Sequence, residues 1–315
     1  MNTMNNAMPG SPRNSQVNDS ERIAPAALSP TRPLYWSIRR ELWEYRSIYV
    51  APLVASAVIL FGFLISMFGL PHRMRAILAL DPAKQYEAIV LPYHLAEALI
   101  MGVALIVGVF YCLDALHGER RDRSILFWKS LPVSDLTTVL SKAIIPIVVL
   151  QLLSFAITVA TQLVMLLLSS AVLLGSGMSV TTLWTQVSLF QTSLMLLYHL
   201  VTVHGLWYAP IYGWLLLVSG WARRAPFLWA FLPPLAIGVV EKISFNTTHF
   251  ANLMKYRFTG GPEAVPMPSD RFPIGPAMHI TPGHFLTSPG LWIGLLFAAG
   301  FLFAAARLRR YREPI

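Results

Sequence analysis

Long apolar runs dominate this sequence, and they limit its folds to those a bilayer tolerates. A helix rising about 1.5 Å per residue needs roughly 20 apolar residues to cross about 30 Å of hydrocarbon. Stretches 48–70, 95–114, 143–174, 225–243 and 290–306 meet that length. Residues 187–221 form a longer run, read as one tilted or broken crossing with its bend at Gly205 and Pro210. The composition agrees: 55% of the 315 residues are hydrophobic and 12% charged, and the mean hydropathy is +0.57. The expected fold is an all-α integral membrane protein with six transmembrane helices.

Charge placement orients them. The net charge of +9 comes from 24 basic and 15 acidic residues, and the basic ones gather on alternate connections. Arg32, Arg39, Arg40 and Arg46 precede the first crossing, while Arg120, Arg121, Arg123, Lys129 and Lys142 lie between the second and third. Arg223 and Arg224 follow the fourth, and Arg307, Arg309, Arg310 and Arg312 close the chain. The positive-inside rule then puts both termini in the cytoplasm. Two crossings within 187–221 would place the basic C-terminus outside, so charge independently favours six. Trp43, Trp184, Trp221, Trp229 and Trp292 fall near predicted helix ends, as interfacial aromatics do.

Residues 1–32, rich in Asn, Ser, Pro and Ala, read as a disordered cytoplasmic tail, and 33–312 as the membrane domain. Just before the first crossing, Leu34, Ile38 and Leu42 recur at four-residue spacing among charged positions. That pattern predicts an amphipathic helix in the cytoplasmic interface, with membrane lipid against its apolar side. The outer loop 244–289 carries seven prolines and is not one regular element.

Ionisable groups are scarce inside the predicted spans, where a charge costs about 2.5–3.5 kcal/mol or more. Asp114 and Glu97 fall at the two ends of the second crossing, and Glu241 and Lys242 at the end of the fifth. His199 and His204 are the intramembrane candidates for a metal or proton site. Their five-residue spacing turns them apart, and packing or hydrogen bonding is the plainer reading. Cys112 is the single cysteine, so no intrachain disulfide and no zinc-type cysteine cluster can form; no metal or cofactor is expected in this chain. The phosphate-cradling pattern G-x-x-x-x-G-K-[ST] is absent from the sequence, so energy for any uphill movement must enter from another chain.

One segment breaks the apolar pattern. "HGERRDRSILFWKSLP", residues 117–132, interleaves Glu119 and Asp122 with Arg120, Arg121 and Arg123, then turns apolar at Ile125, Phe127 and Trp128. It is too short to span and too apolar for a solvated loop. A basic interfacial helix explains the arginines; interleaved acids beside aromatics fit a protein interface better.

With six crossings, a preceding amphipathic helix and the basic tail "RLRRYR", the segment "GERRDRSILFWKSLPVSDLTTVLSK" resembles the permease subunit of ABC-2 type ATP-binding-cassette transporters. The resemblance implies that a short coupling helix between the second and third crossings docks a separate ATPase subunit. By position that role falls on Glu119, Arg120, Arg121, Asp122 and Arg123, with Ile125, Phe127 and Trp128 as its apolar side. It implies export across a bacterial inner (plasma) membrane, ATP and magnesium bound by the partner ATPase, and pairing with a second permease copy or paralogue. It also implies a partly re-entrant segment near the fifth crossing. No nucleic-acid partner is expected. Two other readings stay open at this point: an intramembrane enzyme using His199 and His204 with Glu241 as base, and a passive membrane anchor for a cytoplasmic protein.

Overall fold

The computed structural model describes residues 31–130, 133–259 and 282–311. The expected disordered tail, apart from its last two residues, lies outside the described residues, as do Pro132, Arg312 and residues 260–281 of the Pro-rich loop. Every regular element among the described residues is helical. In chain order they are α1 (Thr31–Glu44), α2 (Ser47–Met67), α3 (Leu70–Leu78), α4 (Pro82–Ala115), α5 (His117–Arg121), α6 (Ser124–Ser130), α7 (Asp135–Ile144) and α8 (Leu150–Gly175). There follow α9 (Thr181–Gln186), α10 (Leu189–His199), α11 (Ala209–Trp221), α12 (Pro226–Phe245), α13 (His249–Thr259), α14 (Pro282–Thr287) and α15 (Pro289–Tyr311). Wider π-helical turns, Ile145–Val149 and Leu200–Trp207, join α7 to α8 and α10 toward α11.

Six helices, counting continuous runs, are long and apolar enough to cross a membrane. They overlap the six predicted stretches: the second and third are longer, the first ends at Met67, and the fourth runs Thr181–Trp207 with Ala209–Trp221 as a separate shorter apolar helix. α4 begins at Pro82 rather than near residue 95, so Glu97 sits within the helix, accepting a hydrogen bond from Gln162 Nε2 at 3.3 Å. Pro92 and the polar first turns of α4 hid this extension from a hydropathy reading.

Residues 187–221 make a single pass. Val187 packs at one end in a cluster with Ile89, Tyr93 and Leu173. At the other end Ser219 Oγ accepts from the amides of Leu116 and His117 at 3.0 and 2.9 Å. The π-helical turns and Tyr208 break the run at Gly205 and Pro210, the predicted bend. Gly205 suits the close approach there, because a methyl group would lie 3.2 Å from the Ile147 carbonyl oxygen in the other π-helical turn, a tight contact.

The α8 crossing turns polar groups inward: Gln151, Ser154, Thr158, Thr161 and Gln162 are all buried. Ser154 Oγ donates to Leu150 O at 2.7 Å, and the Ser56 and Thr161 hydroxyls meet at 2.6 Å between α2 and α8. In lipid such bonds hold helices together where apolar burial supplies no driving force.

Candidate functional site

Where α1, α5, α7 and α15 meet, the bundle holds a buried ionic cluster. Arg40 Nη2 donates to Glu41 Oε1 at 2.7 Å and to Glu119 Oε1 at 2.8 Å. Lys142 Nζ reaches the same two oxygens at 2.8 and 3.1 Å. Arg309 closes the set, with Nη2 3.1 Å from Glu119 Oε2 and Nη1 2.5 Å from Asp135 Oδ1. Glu41, Glu119, Lys142 and Arg309 are all buried, Lys142 completely. Arg40, Lys142 and Arg309 balance Glu41, Glu119 and Asp135, and the more exposed Glu44 adds a carboxylate at the edge, 3.5 Å from Arg40 Nε. That balance matters, because desolvating an unmatched charge costs several kcal/mol.

Neutral donors complete it. Tyr111 Oη donates to Glu41 Oε2 at 2.9 Å, and Tyr45 Oη donates to Asp114 Oδ2 at 3.2 Å. Burial, then the Asp114 and Glu41 carboxylates, push the Tyr45 phenol up, which keeps it a donor. Burial works to lower the Arg40 guanidinium, but the carboxylates of Glu41 and Glu119 outweigh it and the net direction is up.

α5 is bolted to the bundle at a second place. Arg120 Nη1 donates to the carbonyls of Gly220 and Ala222 at 2.9 and 3.2 Å, taking up oxygens at the end of α11. After Arg121 the chain turns through Arg123, at φ 57°, a left-handed conformation that a non-glycine residue adopts at a cost. That turn starts α6 in a new direction. Ile125 points in and is buried, whereas Leu126 and Phe127 are 59% and 60% exposed. Trp128 is half-buried, with the Arg40 guanidinium 3.8 Å from its ring centroid.

The eight residues expected at a partner interface therefore divide. Arg121, Asp122, Arg123 and Phe127 lie on the surface. Glu119, Arg120 and Ile125 do not: they are inside the chain, and Trp128 is partly covered by Arg40. The interleaving of acids with arginines, which suggested an external partner, has an internal cause. Glu119 answers Lys142, Arg40 and Arg309, and Asp122 Oδ1 accepts from its neighbour Arg121 at 3.1 Å. Glu41, Lys142, Asp135 and Arg309 were missed as members of one site. The positive-inside rule accounts for the cations without any carboxylate partner, so the sequence alone does not mark them as a site.

α1 is also turned differently from its sequence pattern. Ile38 and Leu42 pack against the protein core together with Tyr45, and Leu34 is half-buried. The outward face carries Tyr35, Trp36 and Trp43, 58%, 57% and 68% exposed. Arg39 lies between the two indoles, 5.2 Å from the Trp36 ring and 4.8 Å from that of Trp43. Any lipid-facing side of this helix is therefore the aromatic one.

The other candidates make local contacts. The His199 and His204 rings lie 5.5 Å apart, and His204 makes an edge contact with Tyr208 at 5.3 Å. Glu241 is committed elsewhere: its oxygens accept from Thr247 Oγ1 and from the amides of His249 and Phe250, at 2.7–2.8 Å, and so begin α13. Lys242 Nζ donates to Asn246 Oδ1 at 2.9 Å. Among the described residues no group of three or more His, Cys, Asp or Glu side chains is placed to hold a metal ion.

This architecture defines the class of multi-pass helical membrane proteins. Comparisons with protein-family models, with curated proteins and with solved structures gave no match for this chain.

Proposed function

We propose that this chain is the membrane-spanning permease subunit of an ATP-driven exporter of the ABC-2 type, with both termini cytoplasmic. In this reading α5 and α6 form the coupling element that receives motion from a separate ATPase subunit. One observation carries the reading: a short helical pair has an exposed tip at Arg121–Arg123, Leu126 and Phe127, while its base is held by ion pairs. Through Glu119 the base meets α1, α7 and α15, and through Arg120 it meets the end of α11.

A push on the tip of such an element is transmitted as a rigid-body shift of several crossings, because packed, paired groups move together or rearrange as a unit. A solvated loop would absorb it. The tip combines charge with an exposed aromatic, the composition of a protein contact. The partner would bind ATP and magnesium, and a second copy or a paralogue of this chain would complete the pathway.

The test is purification of the tagged full-length chain from its native membrane in mild detergent, with mass-spectrometric identification of stoichiometric partners. The proposal expects an ATP-hydrolysing subunit that is lost on Phe127→Ala combined with Arg121→Glu. Recovery of the chain alone, under conditions that keep a known transporter of this type intact, contradicts it. ATP hydrolysis without any cargo dependence favours the passive-anchor reading.

A further inference from the structure

At the end of the bundle away from the ionic cluster sits a cation with no ionic partner among the described residues. α12 ends at the left-handed Asn246, and α13 reverses so that its last turn meets the π-helical turn Leu200–Trp207 and the start of α15. The backbone there is pinned twice. Trp207 Nε1 donates to Arg257 O at 3.0 Å, and Tyr208 Oη donates to Phe258 O at 2.8 Å. The Arg257 guanidinium then lies 4.5 Å from the Trp207 ring centroid, and its Nη1 donates to Gly290 O at 3.1 Å.

Its Nη2 is buried with no hydrogen-bond partner, and no carboxylate among the described residues forms an ion pair with Arg257. Burial lowers this guanidinium, opposed only by Tyr256. A half-buried charge with one enclosed, unmatched donor is costly unless something answers it.

Room for the side chain has been made in α15. A methyl group on Gly294 would fall on the guanidinium, and one on Gly290 would lie 2.7 Å from Tyr256 Oη. The Gly290–Gly294 spacing, of the small-xxx-small kind that permits close approach, thus accommodates Arg257 and Tyr256. Gly290 and Arg309 lie on one helix, about 28 Å apart at 1.5 Å per residue. That is close to the roughly 30 Å of a hydrocarbon core, so Arg257 stands at headgroup depth in the leaflet opposite the ionic cluster. Around it Phe258, Leu286, Trp292 and Ile293 are 50–60% exposed, an apolar surface fit for acyl chains.

The guanidinium, with Nη1 on Gly290 O and Nη2 enclosed beside Gly294, still attracts an oxyanion by its charge, and the surrounding surface calls for an apolar tail on the same molecule. We propose that Arg257 binds the phosphate of an anionic phospholipid, with Trp207 behind the guanidinium and the Gly290–Gly294 face beside it. One negative charge neutralises the site. The inference does not depend on the ATPase reading, since it concerns the other end of the molecule.

The test uses the full-length chain in neutral detergent, titrated with short-chain phosphatidylglycerol and followed by native mass spectrometry. Phosphatidylcholine of equal chain length and inorganic phosphate serve as comparators. The expected result is one saturable phosphatidylglycerol per chain. Arg257→Gln should weaken it at least about tenfold, and Arg257→Lys, which keeps the charge without the fork, should weaken it less. Gly294→Ala, which leaves the arginine but displaces it, should also weaken binding; it keeps the question answerable if Arg257→Gln does not fold. Equal binding by wild type and a folded Arg257→Gln variant overturns the proposal. So does equal preference for phosphatidylcholine, or binding of inorganic phosphate as tight as that of the lipid. Absence of lipid binding by the wild type also overturns it, and would point to a carboxylate of this chain as the partner.

Discussion

Lys142 Nζ donates to Glu41 Oε1 across 2.8 Å, with both side chains sealed from solvent. This contact joins the helix before the first crossing to the helix that begins the third. The same ammonium also holds Glu119, so its removal leaves two carboxylates sharing only Arg40 between them.

Lys142→Met should therefore destabilise the chain by about 3–5 kcal/mol, the cost of breaking a buried pair from one side. The measurement is thermal unfolding in detergent. Combining Lys142→Met with Glu41→Gln removes one charge of each sign and should recover part of the loss. A double variant worse than the sum of the singles would show that the balance of charge is not what holds the cluster.

Neighbouring acids in one short segment should behave oppositely. Glu119→Gln takes one carboxylate partner from each of Lys142, Arg40 and Arg309 inside the chain and should lower the melting temperature markedly. Asp122→Asn alters an exposed residue whose hydrogen bond is to its own neighbour, and should stay within about 0.5 kcal/mol of wild type. Equal effects would contradict the division of this segment into a buried base and a free tip.

How much of this was readable in the sequence depends on what kind of force left the trace. Hydrophobic length marked all six spans, and Gly205 and Pro210 marked the break in the fourth, because steric rules act locally. Glu119 and Asp122 look alike in sequence, yet one is internal and one is not. What separates them is the arrival of Lys142 and Arg309 from 23 and 190 residues away, which no local pattern records. Leu34, Ile38 and Leu42 did mark the apolar stripe of α1, but a stripe facing lipid and a stripe facing the core share one periodicity. The Gly290–Gly294 spacing signalled close approach without showing that a side chain, Arg257, makes it.

Helix contacts give a paired prediction. A methyl group on Gly213 of α11 would lie 3.3 Å from the Ala298 carbonyl oxygen of α15, whereas one on Gly62 of α2 meets nothing within 4 Å. Gly213→Val should cost about 1–3 kcal/mol through overpacking, while Gly62→Val should be tolerated. Melting temperature in detergent checks both.

Thiol chemistry can test exposure and orientation together, since Cys112 is the sole cysteine and is buried. Wild-type chain should resist a membrane-impermeant maleimide. Asp122→Cys should react, and only in inverted vesicles where the cytoplasmic face is outward; Ile125→Cys should resist from either side. Labelling of Asp122→Cys in right-side-out vesicles would reverse the orientation.

The most direct measurement of the central claim is site-specific photocrosslinking in native membranes, with the reactive side chain placed at Phe127 and, separately, at Ile125. The account predicts that the exposed Phe127 position captures an ATP-binding chain, in an adduct that shifts with nucleotide, and that the buried Ile125 position yields only links within the chain. Lipid adducts alone at Phe127, with the fold intact, would contradict it and leave α6 an interfacial helix without a partner.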